Sequence, residues 1–224
     1  DGNDIYAVIR GIGAASDGKA TSVYALPPEG QALAIERAYA AAGYSAKTVG
    51  MVEAHGTGTK AGDAAEFAGL CRVFGADEPE RRQWCALGSV KSQVGHAKAA
   101  AGSAGLFKAA MALHHKVVPP TLKVERPNPN LKIEESPFFL NTELRPWIQG
   151  SAHPRRAAVS SFGFGGSNFH VALEEYTGAA KRAAKRRHHD SELVLASAPT
   201  PAGLDAALAG ILDRAAKADL SLVA

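Results

Sequence analysis

Two histidines, each set among small residues, are the side chains of this 224-residue sequence best suited to chemistry. His55 lies in the stretch VEAHGTGTKAGD, over residues 52–63, and His96 ends the stretch GSVKSQVGH, over residues 88–96. Each follows a short apolar run typical of a buried strand, and loops at strand ends are where a rigid scaffold positions functional groups. Two imidazoles that converge on one pocket could transfer protons or stabilise an oxyanion.

A lysine and a third glycine-rich loop strengthen this interpretation. Lys91 lies five residues before His96, and a nearby positive charge lowers the pKa of a histidine, which favours a neutral ring that can donate a hydrogen bond. The loop SFGFGGSN covers residues 161–168, where Gly165 and Gly166 would let the backbone and its N–H groups approach an oxyanion. Either histidine alone could equally be structural. We expect all three loops to face one pocket, and imidazoles more than about 10 Å apart would exclude a shared site.

The elements that must position these loops alternate along the chain. Apolar runs predict strands over residues 5–12, 49–54, 86–90, 156–161 and 169–175. Helices are predicted over residues 28–44, from Asp63 onward and over residues 97–115. Strands that alternate with helices predict an α/β fold with a largely covered sheet.

The helix after the His55 loop has a recognisable start and an apolar face. Asp63 and Glu66, three residues apart, predict a capping-box-like N-terminus at Asp63. Apolar residues then recur at helical spacing, and this face comprises Phe67, Leu70, Cys71 and Phe74. The simplest interpretation of Cys71 is therefore a core residue. Cys85, next to a predicted strand, is interpreted in the same way.

Two parts of the sequence depart from this alternation. Six prolines within residues 117–147 predict an irregular segment that wraps the surface. Residues 178–190 contain clustered basic residues and almost no large apolar side chain, as a flexible linker does. We therefore divide the chain into a domain over residues 1–177, this basic linker, and the start of a small α/β linker domain over residues 191–224. That last part is predicted to contain a strand over residues 192–197 and a helix over residues 201–217.

Composition excludes several classes of function. Apolar residues make up 46% of the chain and charged residues 21%, as in ordinary soluble domains, and no apolar run approaches the roughly 18 residues of a membrane span. Two cysteines do not make a disulfide framework, which indicates a reducing, cytoplasmic setting. The formal charge of +3 depends on the basic run from Lys181 to Arg187, so nucleic acid is a poor candidate partner for the rest of the chain. The sequence contains no motif for a metal site, a Walker loop or a serine nucleophile.

Three stretches together resemble the signatures of the C-terminal half of β-ketoacyl synthases. These are EAHGTGT over residues 53–59, SVKSQVGH over residues 89–96 and SFGFGGSN over residues 161–168, in the order that the family has them. The resemblance extends over nearly all of residues 5–176. Within the family, the sequence resembles ketosynthases of multidomain polyketide synthases, and most of all those of polyunsaturated-fatty-acid synthases. The stretches that carry this narrower resemblance are KAGDAAEFAGL over residues 60–70 and NTELRPW over residues 141–147.

This resemblance implies the C-terminal half of a thiolase-like α-β-α-β-α fold, in a domain of two similar halves that is usually dimeric. It also implies a decarboxylative Claisen condensation. In that reaction a cysteine takes an acyl chain from acyl carrier protein, and a malonyl thioester on carrier protein loses CO₂ and attacks it. His55 and His96 would complete a Cys-His-His triad and stabilise the enolate of the malonyl thioester. Lys91 would hold His96 electrostatically.

The resemblance implies further roles near the histidines. Thr57 and Thr59 would contact the phosphopantetheine arm of acyl carrier protein. Phe164 would act as a gate beside the nucleophilic cysteine, and its backbone N–H, with Gly165 and Gly166, would form the oxyanion hole. We expect no metal and no directly bound cofactor, because the substrates arrive on the phosphopantetheine arm.

One member of the implied triad has no match in this chain. The nucleophilic cysteine of the family lies in the N-terminal half, and neither Cys71 nor Cys85 has its sequence setting. The resemblance implies as partners that N-terminal half, acyl carrier protein, a second copy of the complete domain and an adjacent acyltransferase domain. The 224 residues by themselves are expected to be inactive.

The sequence leaves open three alternatives to a condensing ketosynthase. A non-catalytic scaffold akin to a chain-length factor would shape an acyl tunnel, although such partners tend to lose the catalytic histidines and both are present here. A ketosynthase that only decarboxylates would carry another residue in place of the cysteine. A thiolase is the remaining alternative, although the C-terminal cysteine loop of that family is not found.

Limited proteolysis tests the linker prediction. Trypsin should cut first between Lys181 and Arg187, because a linker is accessible to a protease while the backbone of a packed domain is not. Mass spectrometry of the first fragments identifies the cleavage site. Protection of this stretch, with first cleavage elsewhere, would contradict the prediction.

Overall fold

A mixed sheet of six strands organises the larger of the two units into which the chain divides. That unit spans residues 3–178, and the second comprises residues 1–2 and 179–224. The structure is a computed structural model and describes residues 4–18, 27–163, 165–178 and 194–217. Phe164 and all of the basic linker after Gly178 lie outside these described residues.

The elements of the larger unit follow one another in a largely alternating order. Its strands are β1 (Val8–Ser16), β2 (Met51–Glu53), β3 (Cys85–Gly88), β4 (Val117–Val118), β5 (Phe138–Leu140), β6 (Arg145–Pro146), β7 (Arg156–Gly163) and β8 (Ser167–Glu174). Its helices are α1 (Pro28–Ala42), α2 (Lys60–Phe74), α3 (Lys91–Val94) and α4 (Ala101–His115). The α/β class predicted from the sequence is confirmed.

The order of the strands brings the three candidate loops to one edge of the sheet. The order is β1-β8-β7-β2-β3-β5, and β2 is parallel to both of its neighbours, β7 and β3. Parallel strands end at the same edge of a sheet. The loops that follow β2, β3 and β7 therefore leave the sheet on the same side, while β1 and β8 complete its other end as antiparallel strands.

Helices cover the two faces of the central strands. On one face, α1 and α2 contribute Ile35 and Phe74 to a core that includes Val52 of β2. On the other face, α4 packs Ala109 and Leu113 against the same sheet. Burial of these apolar side chains, at about 25 cal/mol per Å², is the main contribution that holds the helices to the sheet.

A buried histidine connects β7, β8 and α1 within this core. The Nδ1 atom of His170 lies 3.0 Å from the hydroxyl of Ser160, and its Nε2 atom lies 3.2 Å from the hydroxyl of Tyr39. Burial lowers the pKa of His170 to about 3, because a charged ring would lose its hydration. A neutral ring with a partner for each nitrogen identifies this histidine as structural.

The structure corrects the predicted start of α2. The helix begins at Lys60, and the hydroxyl of Thr59 accepts the N–H of Gly62 at 3.2 Å. The carboxylate of Asp63 accepts the N–H of Gly58, so Asp63 closes the preceding loop and does not begin the helix. The predicted apolar face is confirmed for Phe67, Leu70 and Phe74, which are buried, while Cys71 is half-buried against the same core.

Two further predictions of secondary structure were wrong in part. Residues 117–147 include β5, which pairs with β3 inside the main sheet, and Phe138 is fully buried. Pro137 directly precedes this edge strand, a position where the missing N–H does no harm. In the second unit, helix α5 (Pro201–Lys217) is confirmed, whereas the described residues of the predicted strand, 194–197, form no strand.

No helix in the described part of the chain is both long and apolar enough to cross a bilayer.

The contact between β1 and α1 leaves no room for a side chain. A Cβ added at Gly13 would collide with the carbonyl oxygen of Ala34 in α1. Gly13→Ala should therefore lower the free energy of unfolding by about 3 kcal/mol, because neither backbone can move without disturbing the sheet. Urea unfolding of both proteins measures the difference. Gly150→Ala is the control, since nothing lies within 4 Å of its added Cβ, and an equal loss in the two variants would contradict the argument.

Candidate active site

A buried carboxylate holds the turn that carries His55. The chain leaves β2 at Glu53, and the backbone N–H groups of His55 and Gly56 point back toward α2. Glu66 accepts both of them, with Oε1 2.7 Å from the His55 nitrogen and Oε2 2.8 Å from the Gly56 nitrogen. The His55 ring is thereby set at the edge of the sheet by Glu66, which lies nearly two turns inside α2.

The charge of Glu66 is finely balanced by its surroundings. Burial raises the pKa of this carboxyl from 4.5 to about 7, against the lowering effect of the two N–H donors. Asp63 raises the pKa further, whereas the positive charge of Lys91 lowers it. Glu66 can therefore gain or lose a proton near neutral pH.

The second histidine is positioned by a short helix that ends in glycine. After β3, helix α3 ends at Val94, and the next residue, Gly95, has a φ of 77° that turns the chain toward His96. The backbone N–H of Lys98 donates to Nδ1 of His96 at 3.0 Å. A nitrogen that accepts a hydrogen bond carries no proton, so the ring N–H of His96 is on Nε2.

The two imidazoles lie together. Their ring centroids are 5.7 Å apart with an interplanar angle of 86°, and the ring of Phe162 lies 6.1 Å from that of His55. The predicted proximity of His55 and His96 is confirmed. A cleft of about 570 Å³ opens beside both rings, and its wall includes Gly163 and Ser167 at the ends of β7 and β8.

Electrostatics keep the ring of His55 neutral. Its pKa is lowered to about 4, first by burial and then by the electrostatic effects of Lys91 and His96. Lys91 was expected to act on His96; in the structure its charge acts on His55, and its role toward His96 stays a prediction. Burial lowers the pKa of Lys91 itself, while Glu66 and Glu53 raise it.

The two threonines of the first loop face the same cleft. Both Thr57 and Thr59 line it, and their hydroxyl oxygens are 3.1 Å apart. Thr59 also accepts the N–H of Gly62, which leaves its own hydroxyl proton able to reach another acceptor. Thr57 is half-buried, and it also lines a second cavity of about 970 Å³ on the side of Lys91.

The glycine-rich loop between β7 and β8 borders the cleft at its two ends, Gly163 and Ser167, whereas Gly165 and Gly166 are not among the residues that line it. Gly165 and Gly166 adopt φ values of 90° and 81°, which favour glycine. The carbonyl of Gly166 accepts the N–H of Asp17 at 2.9 Å, and Asn168 donates to the Asp17 carboxylate at 2.6 Å. Phe164 lies outside the described residues, so its role as a gate and that of these glycines in an oxyanion hole stay predictions.

Neither cysteine reaches the cleft. Cys85 is fully buried in the core under α2, and burial raises the pKa of its thiol well above the ordinary value. Cys71 is half-buried in α2, and burial raises the pKa of its thiol to about 12. A thiol that stays protonated is a poor nucleophile, so the interpretation of both as core residues agrees with the structure.

Sequence reasoning missed the two glutamates that support the histidines. Glu66 was interpreted as part of a helix cap, and Glu53 as part of a strand. Glu53 is 1% exposed and its carboxylate accepts the N–H of Val90, where the loop to His96 begins. One signal was available, since a charged residue at the end of an apolar strand must find partners when it is buried.

The comparisons with known proteins agree with this geometry. Residues 6–125 match the family described as beta-ketoacyl synthase, C-terminal domain, and residues 127–223 match the ketoacyl-synthetase C-terminal extension. The chain is 48% identical over 180 residues to a polyunsaturated fatty acid synthase of Thraustochytrium, a match that covers 78% of this chain and 6% of the relative. It is 41% identical over 199 residues to polyketide synthase PksL of Bacillus subtilis, covering 88% of this chain and 4% of the relative.

Solved structures show the same fold. The ketosynthase from module 6 of the bacillaene synthase of Bacillus subtilis matches with a TM-score of 0.75 and 42% identity, over 78% of this chain and 31% of that chain. The expected thiolase-like fold of a ketosynthase C-terminal half is confirmed. The 224 residues span about a third of that ketosynthase and a small fraction of the curated relatives.

The titration of Glu66 should be visible in the stability of the fold. The unfolded chain releases this proton near pH 4.5 and the folded chain near pH 7, so Glu66 destabilises the fold increasingly as the pH rises between these values. Relative to Glu66→Gln, the wild type should lose up to about 3 kcal/mol of unfolding free energy from pH 4.5 to pH 7.5. Urea unfolding at both pH values measures this, and a difference independent of pH would contradict the titration.

Proposed function

This chain belongs to the β-ketoacyl synthase family, and from that premise we propose that it supplies two histidines to an active site for decarboxylative Claisen condensation. The observation that carries the proposal is the pair of imidazoles, His55 and His96, with centroids 5.7 Å apart beside one cleft. The substrates are malonyl and acyl thioesters on acyl carrier protein, in polyketide or polyunsaturated-fatty-acid synthesis.

The histidines act as hydrogen-bond donors to a developing negative charge. In the malonyl thioester, the bond between Cα and the carboxylate carbon breaks, CO₂ leaves, and the electron pair moves onto the thioester oxygen as an enolate. The Nε2–H of His96 and a ring N–H of His55 stabilise that oxygen. The carbanion then attacks the acyl thioester carbonyl, and the cysteine leaves as a thiolate. The lowered pKa of His55 keeps its ring neutral. A neutral ring can donate its N–H hydrogen bond to the enolate oxygen without a change in its own protonation state.

The cysteine of this reaction comes from outside the 224 residues. The chain has two cysteines, and both are core residues with raised thiol pKa values, away from the cleft. The N-terminal half of a ketosynthase domain would supply the nucleophile and the remaining wall of the pocket. On this basis, the isolated chain is inactive, and the active form is a complete domain that pairs with a second copy.

Other residues around the cleft bind the carrier arm and the acyl oxygen. Thr57 and Thr59, with hydroxyls 3.1 Å apart on the cleft wall, contact the phosphopantetheine arm. The backbone of Phe164, Gly165 and Gly166 forms the oxyanion hole for acyl transfer, and the Phe164 ring gates the cysteine. Acyl carrier protein and an adjacent acyltransferase domain are the partners, in the cytoplasm, and no cofactor other than the carrier arm is needed.

The presence of both histidines favours catalysis over a scaffold. A partner that only shaped an acyl tunnel would have no need of two imidazoles that share one cleft. It would also have no need of a buried carboxylate that holds the turn before one of them, as Glu66 does. The scaffold alternative therefore has no specific support in these contacts.

Substitution of each histidine tests the proposal in the complete ketosynthase domain. His55→Ala and His96→Ala should each slow release of CO₂ from malonyl carrier protein by about 10²–10³-fold, because one donor to the enolate oxygen is lost. Acyl loading of the cysteine should fall less, because it depends on thiolate formation and on backbone N–H groups. Release of ¹⁴CO₂ and mass spectrometry of the acyl-enzyme measure the two steps.

A matched control and the isolated chain complete this experiment. His153→Ala removes a partly exposed histidine that does not line the cleft, and it should leave both steps unchanged. The 224-residue chain alone should neither decarboxylate nor condense. Condensation by the chain alone, or full decarboxylation by either histidine variant, would overturn the proposed function.

A further inference from the structure

A buried ion pair lies directly behind the two histidine loops. The Nζ atom of Lys108, in α4, is 2.8 Å from Oε2 of Glu53, the last residue of β2. The side chains are 9% and 2% exposed, so water screens neither charge. In the described part of the chain, no other ion pair has both side chains this deeply buried.

The carboxylate of Glu53 has a second partner in another loop. Its Oε1 atom accepts the backbone N–H of Val90, which precedes the helix that leads to His96. Glu53 itself lies two residues before His55 in the chain. Glu53 is therefore a near neighbour of the first histidine along the chain, and its carboxylate is hydrogen-bonded to the start of the loop that carries the second histidine.

Lys108 adds the third element to this junction. Helix α4 begins five residues after His96, and the face that packs on the sheet includes Gly105 as well as Lys108. A Cβ at Gly105 would lie 3.1 Å from Cγ of Glu53, so the helix backbone presses on the same side chain. The end of β2, the start of the His96 loop and the helix after His96 thus meet at one carboxylate.

Ion-pair stability alone does not require this arrangement. A buried pair is often no more stabilising than two well-packed apolar side chains, because both charges lose their hydration. Burial raises the pKa of Glu53, and Lys108 lowers it again by charge and by hydrogen bonding. An apolar pair could not accept the N–H of Val90. That N–H would then be buried without a hydrogen-bond partner.

We propose that Glu53 and Lys108 are positioning residues that set the distance between His55 and His96. Glu53 holds Val90 through its Oε1 atom, and Lys108 keeps the carboxylate charged and oriented for that contact. This inference rests on the proposed function in so far as the distance between the rings matters for decarboxylation. The predicted effect acts through both loops and not through any contact of Glu53 or Lys108 with substrate.

Two double variants of the complete ketosynthase domain separate positioning from stability. Both Glu53→Gln/Lys108→Met and Glu53→Met/Lys108→Met replace the ion pair by neutral side chains of similar size. The first keeps an oxygen that can accept the N–H of Val90, and the second does not. The kcat and KM for malonyl decarboxylation are measured for both, together with the urea midpoint and the hydrogen exchange of the peptide spanning residues 86–96.

Lys108 acts through the carboxylate, so the proposal predicts that its charge is dispensable for the rate once a neutral acceptor replaces that carboxylate. The glutamine variant should keep kcat within about threefold of wild type, while the methionine variant should lose about tenfold or more in kcat with an unchanged KM, since a small displacement of a catalytic group has effects of this size. Amide exchange at Val90 should rise about tenfold in the methionine variant alone. Lys116→Met, which removes a surface ion pair just after α4, should change neither quantity.

Three results would overturn the proposal. Equal kcat values in the two double variants would show that the acceptor has no function. Loss of kcat in the glutamine variant with normal protection of Val90 would show that the charge matters and the position does not. A fall in kcat that follows the urea midpoint in every variant would identify a purely structural role. Exchange at Val90 needs no catalysis, so it tests the contact even if wild-type decarboxylation is absent and the proposed function fails.

Discussion

The acceptance of two backbone N–H groups by the carboxylate of Glu66 is the interaction on which the His55 turn depends. A chain that turns sharply at the end of a buried strand leaves its N–H groups without ladder partners, and each such group costs about 1–3 kcal/mol if it stays unpaired. Glu66 satisfies both, at 2.7 and 2.8 Å. The opposing effect is its own burial, which raises its pKa to about 7. The turn is therefore held by a carboxyl whose ionised form is favoured by the N–H donors and Lys91 and disfavoured by burial.

The same charges divide the site into two environments. Lys91 and Asp63 line the cavity of about 970 Å³, the two imidazoles line the cleft of about 570 Å³, and Glu66 lines both. Across this division, the positive charge of Lys91 lowers the pKa of His55 without a direct contact in the described structure. A neutral imidazole already carries one ring N–H, which it can donate as a hydrogen bond to an oxyanion without binding a further proton. The electrostatics thus prepare the ring for hydrogen bonding, not for carrying a charge.

Three histidines, of which His170 is buried, His55 is half-buried and His96 is exposed, show how the surroundings of a ring separate a structural role from a chemical one. His170 has a hydroxyl partner on each ring nitrogen and lies inside the core, so no hydrogen-bonding capacity is left for a substrate. His55 has a buried Nδ1 atom without a protein partner in the described structure, and the Nδ1 atom of His96 is occupied by a backbone N–H, which directs its proton to Nε2. Both follow parallel strands that end at the same edge of the sheet. Free donors that meet at one edge distinguish these two rings from the third.

The sequence by itself determined the α/β alternation, the three loops and the pair of histidines, because apolar periodicity, glycine at turns and side-chain type are local properties of the chain. Its motifs also determined the family. Only the tertiary structure decided the membership of β5 in the main sheet, the start of α2 at Lys60, and the contacts of Glu53 and Glu66. Glu66 meets the N–H of His55 across 11 residues, and Glu53 meets that of Val90 across 37. Contacts over such separations depend on the order of the strands in the sheet and on which side chains the sheet buries. A local sequence pattern determines neither of these.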